Sequence, residues 1–451
     1  MNFTAIVLWS VMIANLGVPK IPQGPVSSEA AVVATSTADP QSADTAPQSS
    51  GKKKKKAVKP PDRFRWDDHP SVHFGKGTRI DFRARFQGDL RESDEFLDAA
   101  EENSGLDIAK RRVGVAGEIR NAVDFQVEAE LANDEPWRDV YANYKQHAAI
   151  QVQGGHFKLP FSLDENTSAT NLDFIYRSRA ASQLAPGRDV GVMAHGRVLD
   201  RALAYEVGVF THDGRNARTA NSDRVYGGRT LAARVTFQPF RAENDWRSDL
   251  QIGAAFTASP LDEGVSDLRG KTALDGRFYR PDVWVAGNRR RIGAELRWRP
   301  GPFSVKSEYM RVTDERRGQS VDDTDLSPAI ADGWYVSGTW AVTGESKAKG
   351  LDAPRRPFLQ GGSGVIEVAA RVERLGFGSA GTGETPSEGP RAEVIAGNSD
   401  RVETFGVNWY ANRWIKIQFN ILHDTVRDPS QGPLPDRTGY WSRVLRFQLS
   451  L

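Results

Sequence analysis

The stretch TRIDFRARFQGDL, residues 78–90, alternates with a period of two. Ile80, Phe82, Ala84 and Phe86 share one parity, and Arg79, Asp81, Arg83 and Arg85 share the other. Successive side chains of a strand point to opposite faces, so this stretch predicts a strand with one apolar side and one arginine-bearing side. The fold must supply an environment that takes phenyl rings on one face and guanidiniums on the other.

The pattern recurs to the end of the chain. Segments at 111–120, 123–132, 139–146 and 149–157 alternate in the same way, as do RWIKIQFNI (413–421) and the terminal YWSRVLRFQLSL. Sixteen such segments fit between residues 78 and 451, about 23 residues for each strand with its connection. A membrane-crossing strand needs roughly 9–11 residues. Ile415, Ile417, Phe419 and Ile421 face one way, against Lys416, Gln418 and Asn420. An arginine turned to lipid near the bilayer midplane costs about 2–4 kcal/mol, so the arginine face belongs in water. A sheet that spans lipid must also close, because its edges would otherwise stay unpaired. With about 16 strands, closure leaves an aqueous interior. A soluble sandwich with a dry centre is the competing reading. The apolar N-terminal run, the even strand count and a last strand ending flush with the chain favour the membrane. The expected fold is all-β: a closed antiparallel transmembrane β-barrel of about 16 strands.

Composition agrees with this. Of 451 residues only 39% are hydrophobic, as expected when half of each strand faces water. There is no cysteine, which excludes disulfides and thiolate metal sites, and the 7 histidines lack metal-ligand spacing. No metal and no cofactor is expected. A formal charge of +2 gives no global basic patch for nucleic acid. Residues 3–18 form an apolar run of signal-peptide size, and 1–38 is read as the signal-peptide region, with an uncleaved anchor as the alternative. Residues 39–77, rich in Pro, Ser and Ala and containing KKKKK at 52–56, are read as a disordered periplasmic tether. Those lysines are either solvated or touch an anionic surface, such as lipopolysaccharide phosphate or a cell-wall polymer. Residues 78–451 are the barrel.

The residues between Phe161 and Asp189 carry no strand pattern. A long connection between clear strands is usually functional. It is expected to fold inward, bringing Lys158, Arg177, Arg179 and Arg188 to a constriction; an ordinary extracellular loop is the alternative. Phe174 and Tyr176 are expected to pack it against the wall. Strand parity puts Arg79, Arg83, Arg85, Arg112, Arg120, Arg234, Arg291 and Arg297 in the lumen. Asp81, Glu118, Asp124, Glu128, Glu130, Glu295, Glu308 and Glu367 share it, so cross-strand pairing is expected. Arginine suits phosphate because its planar fork donates two parallel hydrogen bonds.

One block carries a resemblance: GGHFKLPFSLDENTSATNLDFIYRSRAASQLAPGRDVGVMAHGRVLDRALAYEVGVFTHDG, residues 154–214. With GGRTLAARVTFQPF, GAELRWRPGPFSVKSEYMRV, GWYVSGTWAVTGE and FGVNWYANRWIKIQFNIL following in order, the chain from about residue 76 to 451 resembles the phosphate-selective porin O and P family. The resemblance implies a homotrimeric outer-membrane barrel of sixteen strands. It implies inward loops and an arginine ladder with central lysines that passes phosphate or polyphosphate. Where members frequently end in Phe, this chain has Leu451. The expected function is a passive outer-membrane channel for small anions, with outer-membrane lipid and lipopolysaccharide around it. A general or sugar-permeable porin is the second reading. An enzyme is not expected: His156 and His195 have no serine partner legible in sequence. RGKT at 269–272 lacks the glycine spacing of a phosphate-binding loop.

Overall fold

The structure, a computed structural model, describes residues 63–451 apart from 67–68, 76, 96–104, 133–135, 219, 222–226, 244, 280–281 and 383–384. The expected signal region lies outside the described residues.

Sixteen strands form the wall. They are β1 (Arg79–Ser93), β2 (Gly105–Ile119), β3 (Val123–Glu130), β4 (Trp137–His147), β5 (Ile150–Lys158), β6 (Arg188–Val198), β7 (Leu203–Phe210) and β8 (Thr230–Phe237). There follow β9 (Gln251–Val265), β10 (Trp284–Trp298), β11 (Phe303–Arg316), β12 (Leu326–Ala341), β13 (Val365–Ser379), β14 (Ser399–Tyr410), β15 (Ile415–Val426) and β16 (Gly439–Ser450). Each pairs antiparallel with the next, and β16 returns to β1 with Leu449 opposite Phe86. That last pairing removes the edges. The barrel is closed, as expected.

The alternation decides what faces where. In β1, Phe82 is 44% exposed while Asp81 is 2% exposed, and Arg83 and Arg85 line the interior cavity. The soluble-sandwich reading is thereby excluded, since its phenyls would be buried. Val192, Val209, Phe256, Ile292, Val336 and Phe405 continue the exposed apolar band around the wall. Aromatic pairs mark the rim: Trp246 with Trp298, Phe303 with Trp340 and Phe358 with Trp409.

Connections at one end are mostly short, at 120–122, 148–149, 199–202, 299–302 and 411–414. Arg120 and Asn121 turn the first of them with φ of 52° and 56°. The opposite end carries the long loops, including 159–187, 211–229, 266–283 and 380–398. Short periplasmic turns and long extracellular loops are the rule for such barrels. Two features depart from expectation. Within the stretch read as a disordered tether, Phe64–Trp66 and Pro70–His73 instead form a hairpin that adds to the start of β1, with Val72 opposite Ile80. In 266–283, Gly270–Lys271 and Arg277–Tyr279 form a second small hairpin.

Phe405 is 65% exposed on the lipid side. Phe405→Arg is expected to lower the folding free energy in vesicles by about 2–4 kcal/mol. Urea titration followed by tryptophan fluorescence checks this; an unchanged midpoint would show that this face does not meet lipid.

Candidate functional site

A chain segment lying across a barrel needs partners for its own backbone groups. The loop 159–187, with helices α1 (Leu163–Asn166) and α2 (Arg179–Leu184), finds them on the inner wall. The Glu308 carboxylate of β11 accepts from the N–H groups of Leu163 (2.6 Å) and Asp164 (2.8 Å), and the Ser162 hydroxyl accepts from Glu165 N–H (3.1 Å). Asp173 sits between Lys306 (2.7 Å) and Lys347 (2.9 Å). Asn408 donates to the Asp173 carbonyl, Lys416 to that of Leu172 and Arg446 to that of Ile175. The Asn420 side chain accepts from Ile175 N–H at 2.8 Å.

Apolar packing completes the docking. Ala180, Ala181 and Leu184 of α2 bury against Met310, Val312, Ala331 and Leu375, which face inward from β11–β13. The helix comes so close that a Cβ at Gly333 would lie 2.8 Å from that of Ala180. Phe174 and Tyr176 pack as expected: Arg371 lies over the Phe174 ring at 4.6 Å, and Arg446 over Tyr176 at 5.8 Å. The loop folds inward and is sewn to one side of the barrel.

A cavity of about 1500 Å³ remains, and it runs along the opposite wall. Its lining contains 21 Arg or Lys residues and 9 Asp or Glu residues. Lys158, Arg177, Arg179 and Arg188 all line it. Lys158 donates to the carbonyls of Glu165 (2.6 Å) and Thr167 (3.3 Å). Arg177 donates to those of Asp164 and Thr167. Arg188 grips Asp139 with two hydrogen bonds of 3.1 and 2.7 Å. Arg179 is different. It is buried, donating to the carbonyls of Thr272 (2.9 Å) and Arg177 (3.1 Å), so most of it braces the loops.

Of the strand arginines, Arg79, Arg83, Arg85, Arg112, Arg234 and Arg297 line the cavity. Arg112 pairs with Glu128 (3.0 Å) and Glu130 (3.3 Å), and Arg234 with Glu206 (3.0 Å) and Glu295 (2.7 Å). Two are elsewhere. Arg120 lies in the exposed turn after β2, one residue beyond the alternation. Arg291 points inward but is sealed with Arg289 against Asp213 of the 211–229 loop, off the cavity.

Lys110 and Arg138 also line the cavity, and the sequence reading did not include them. With Arg85, they make no ion pair and no side-chain hydrogen bond among the described residues. Lys110 shares the parity of Arg112 and was legible; β2 simply starts at Gly105, ahead of the segment read at 111. Arg138 was not legible. A bulge sets Arg138 and Asp139 against Glu128 alone, which breaks the alternation and turns both inward.

Two carboxylates of the loop itself hold charge firmly. Burial would raise the Asp173 carboxyl, but the Lys306 and Lys347 ammoniums outweigh it and hold it far below the usual carboxylate range. Burial likewise opposes ionisation of Glu165, yet Arg215, Arg177 and Lys158 bring it down to about 2. A carboxylate depressed in the folded state contributes stability above its unfolded pKa and loses it only as pH falls through the folded value. The loop is therefore expected to stay docked down to about pH 4, seen as unchanged open-channel noise. Asp173→Asn at neutral pH is expected to raise both noise and conductance. Quiet, unchanged currents from that variant would remove the anchoring role.

The comparisons with known proteins fit this geometry. The profile of the family described as "Phosphate-selective porin O and P" matches residues 80–450. Porin O of Pseudomonas aeruginosa is 22% identical over 292 residues, a match covering 59% of this chain and 63% of that protein's length. Among solved structures, an anion-selective porin from Comamonas acidovorans superposes with a TM-score of 0.53 at 10% identity, covering 83% of this chain and 100% of that one. OmpT of Vibrio cholerae gives 0.52 at 11%, covering 83% and 98%. These likenesses show a shared fold. The closed sixteen-strand wall, the docked loop and the match over residues 80–450 lead to one assignment: the chain belongs to the phosphate-selective porin O and P family of the bacterial outer membrane.

Proposed function

We propose that this chain is a passive channel for small anions, phosphate or polyphosphate foremost, assembled as a homotrimer. The observation that carries the reading is the cavity lining, in which 21 cationic residues face 9 acidic ones. Two features keep that charge available to a passing ion. Lys158 and Arg177 spend hydrogen bonds on neutral carbonyls, with Glu165 near both and Asp139 within electrostatic reach of Lys158. Arg85, Lys110 and Arg138 make no ion pair among the described residues; each is within electrostatic reach of Arg112, and Glu128 or Glu130 lies beyond contact distance.

Conduction asks for sites attractive enough to admit an ion and weak enough to release it. Cations on one wall meet that demand together: Arg85, Lys110, Arg112, Arg138 and Arg188 all line the cavity, and only some of them hold a carboxylate. The guanidiniums suit a tetrahedral oxyanion, taking two of its oxygens at once. No catalytic arrangement competes among the described residues. His195 contacts Asn143, and His156 meets the Arg138 carbonyl.

Planar-bilayer recording in a chloride gradient tests the proposal. The reversal potential is expected to favour the anion, and added phosphate to block chloride current. Arg85→Ala with Arg138→Ala is expected to lower the anion preference and the block by about thirtyfold. Each removed charge is worth on the order of 1 kcal/mol to an ion a few ångström away in a wet site. Arg355→Ala with Arg356→Ala, in the turn between β12 and β13, is the control and should change neither. A channel indifferent to phosphate and to ion sign would assign the general-porin reading instead.

A further inference from the structure

The outer wall carries a group of guanidiniums that the ion path does not use. Arg374 of β13 shares the parity of the exposed Ile366 and Val368, and Arg401 of β14 that of Phe405 and Val407. Both therefore face away from the lumen, toward the membrane. They are direct cross-strand neighbours. Like charges placed opposite one another on one face of a sheet destabilise it. Their carboxylate partners only partly relieve this: Arg401 meets Glu403 at 2.9 Å, but Arg374 reaches Asp332 only at 3.9 Å. Arg311 of β11 is opposite that same Asp332, is exposed, and makes no ion pair among the described residues.

Their level is set by what surrounds them. Trp334 is opposite Arg374, and Trp441 stacks on His423, itself opposite Glu403, with ring centres 4.4 Å apart. Tryptophans of this kind lie at the membrane–water interface. Ile366 to Arg374 covers about 26 Å of strand, enough to cross most of the hydrocarbon toward the long-loop end. The Arg374 side chain continues in that direction. It lies over Gly376, where a Cβ would come within 3.0 Å of its terminal nitrogen. Phe405 and Val407, farther from the loops on β14, meet hydrocarbon, where a guanidinium would be costly.

We propose that Arg374 and Arg401, with Arg311 beside them, form a site on the outer wall for a phosphate monoester of an outer-leaflet glycolipid. Residues directly opposite on antiparallel strands have Cα atoms about 4.5–5.5 Å apart, so one tetrahedral phosphate lies within reach of both guanidiniums once Arg401 exchanges Glu403 for it. The anion converts their repulsion into attraction at the level where such headgroups lie. The site is separate from the lumen and stands or falls independently of the anion channel.

The purified barrel in detergent tests it, titrated with a bis-phosphorylated glucosamine-disaccharide lipid and with the same lipid after phosphatase treatment. Wild type is expected to hold the phosphorylated form about tenfold more tightly. Arg374→Ala with Arg401→Ala should abolish that margin, and the corresponding double lysine variant should keep part of it. Single-channel conductance should match wild type in every variant, which also certifies folding. No margin in wild type, or a margin that survives the double alanine change, overturns the proposal. So does a changed oligomeric state of that variant, which would assign this face to contact with a second copy.

Discussion

The structure depends on one constraint: inside hydrocarbon, no backbone N–H or C=O can go unpaired. The β16–β1 pairing meets it by abolishing the edge. Once the wall is closed, each strand has a dry outside and a wet inside, and parity alone distributes Phe82 and Arg83 between them. The same demand then passes inward to the loop 159–187. Its exposed amides and carbonyls are met by Glu308, Asn408, Lys416, Asn420 and Arg446, all projecting from strands β11 to β16. Polar side chains on one side of the lumen thus serve the loop, and the solute is left the other side.

This division explains why lumen charge has two fates. Cations on the docking side are consumed: Lys306 and Lys347 by Asp173, Arg371 by Glu373. Arg289 and Arg291 are consumed too, locking the 211–229 loop through Asp213. Cations on the far side divide: Arg112, Arg188 and Arg234 hold carboxylates, whereas Arg85, Lys110 and Arg138 make no ion pair among the described residues. An inward arginine therefore says little about conduction until its partner is known.

Much of the wall was legible because a period of two is a direct imprint of the pleat. Ile80 to Phe86 sufficed to orient β1, and the inward loop announced itself by lacking the pattern. The parts that escaped have specific causes. Arg138 reached the cavity through a bulge, which local alternation cannot signal. Arg291 was assigned to the correct face but not to its sealed state, because its partner Asp213 lies 78 residues earlier in a loop. Arg179 behaves likewise: its partner is the carbonyl of Thr272, 93 residues later in a separate loop. Parity reports a face; only tertiary contacts report whether that face is wet.

The seat beneath α2 has a mechanical consequence. Met310, Val312, Ala331 and Leu375 are greasy surface placed inside a water-filled tube, and α2 keeps them dry together with Phe161, Phe278 and Tyr279 of the inward loops. Bore diameter is then a thermodynamic variable of its own, governed by a small hydrophobic equilibrium nested within a far sturdier cylinder. Cooling weakens such burial while leaving the surrounding ladder of strands intact. The aperture and the shell that bears it are two materials with separate melting behaviour.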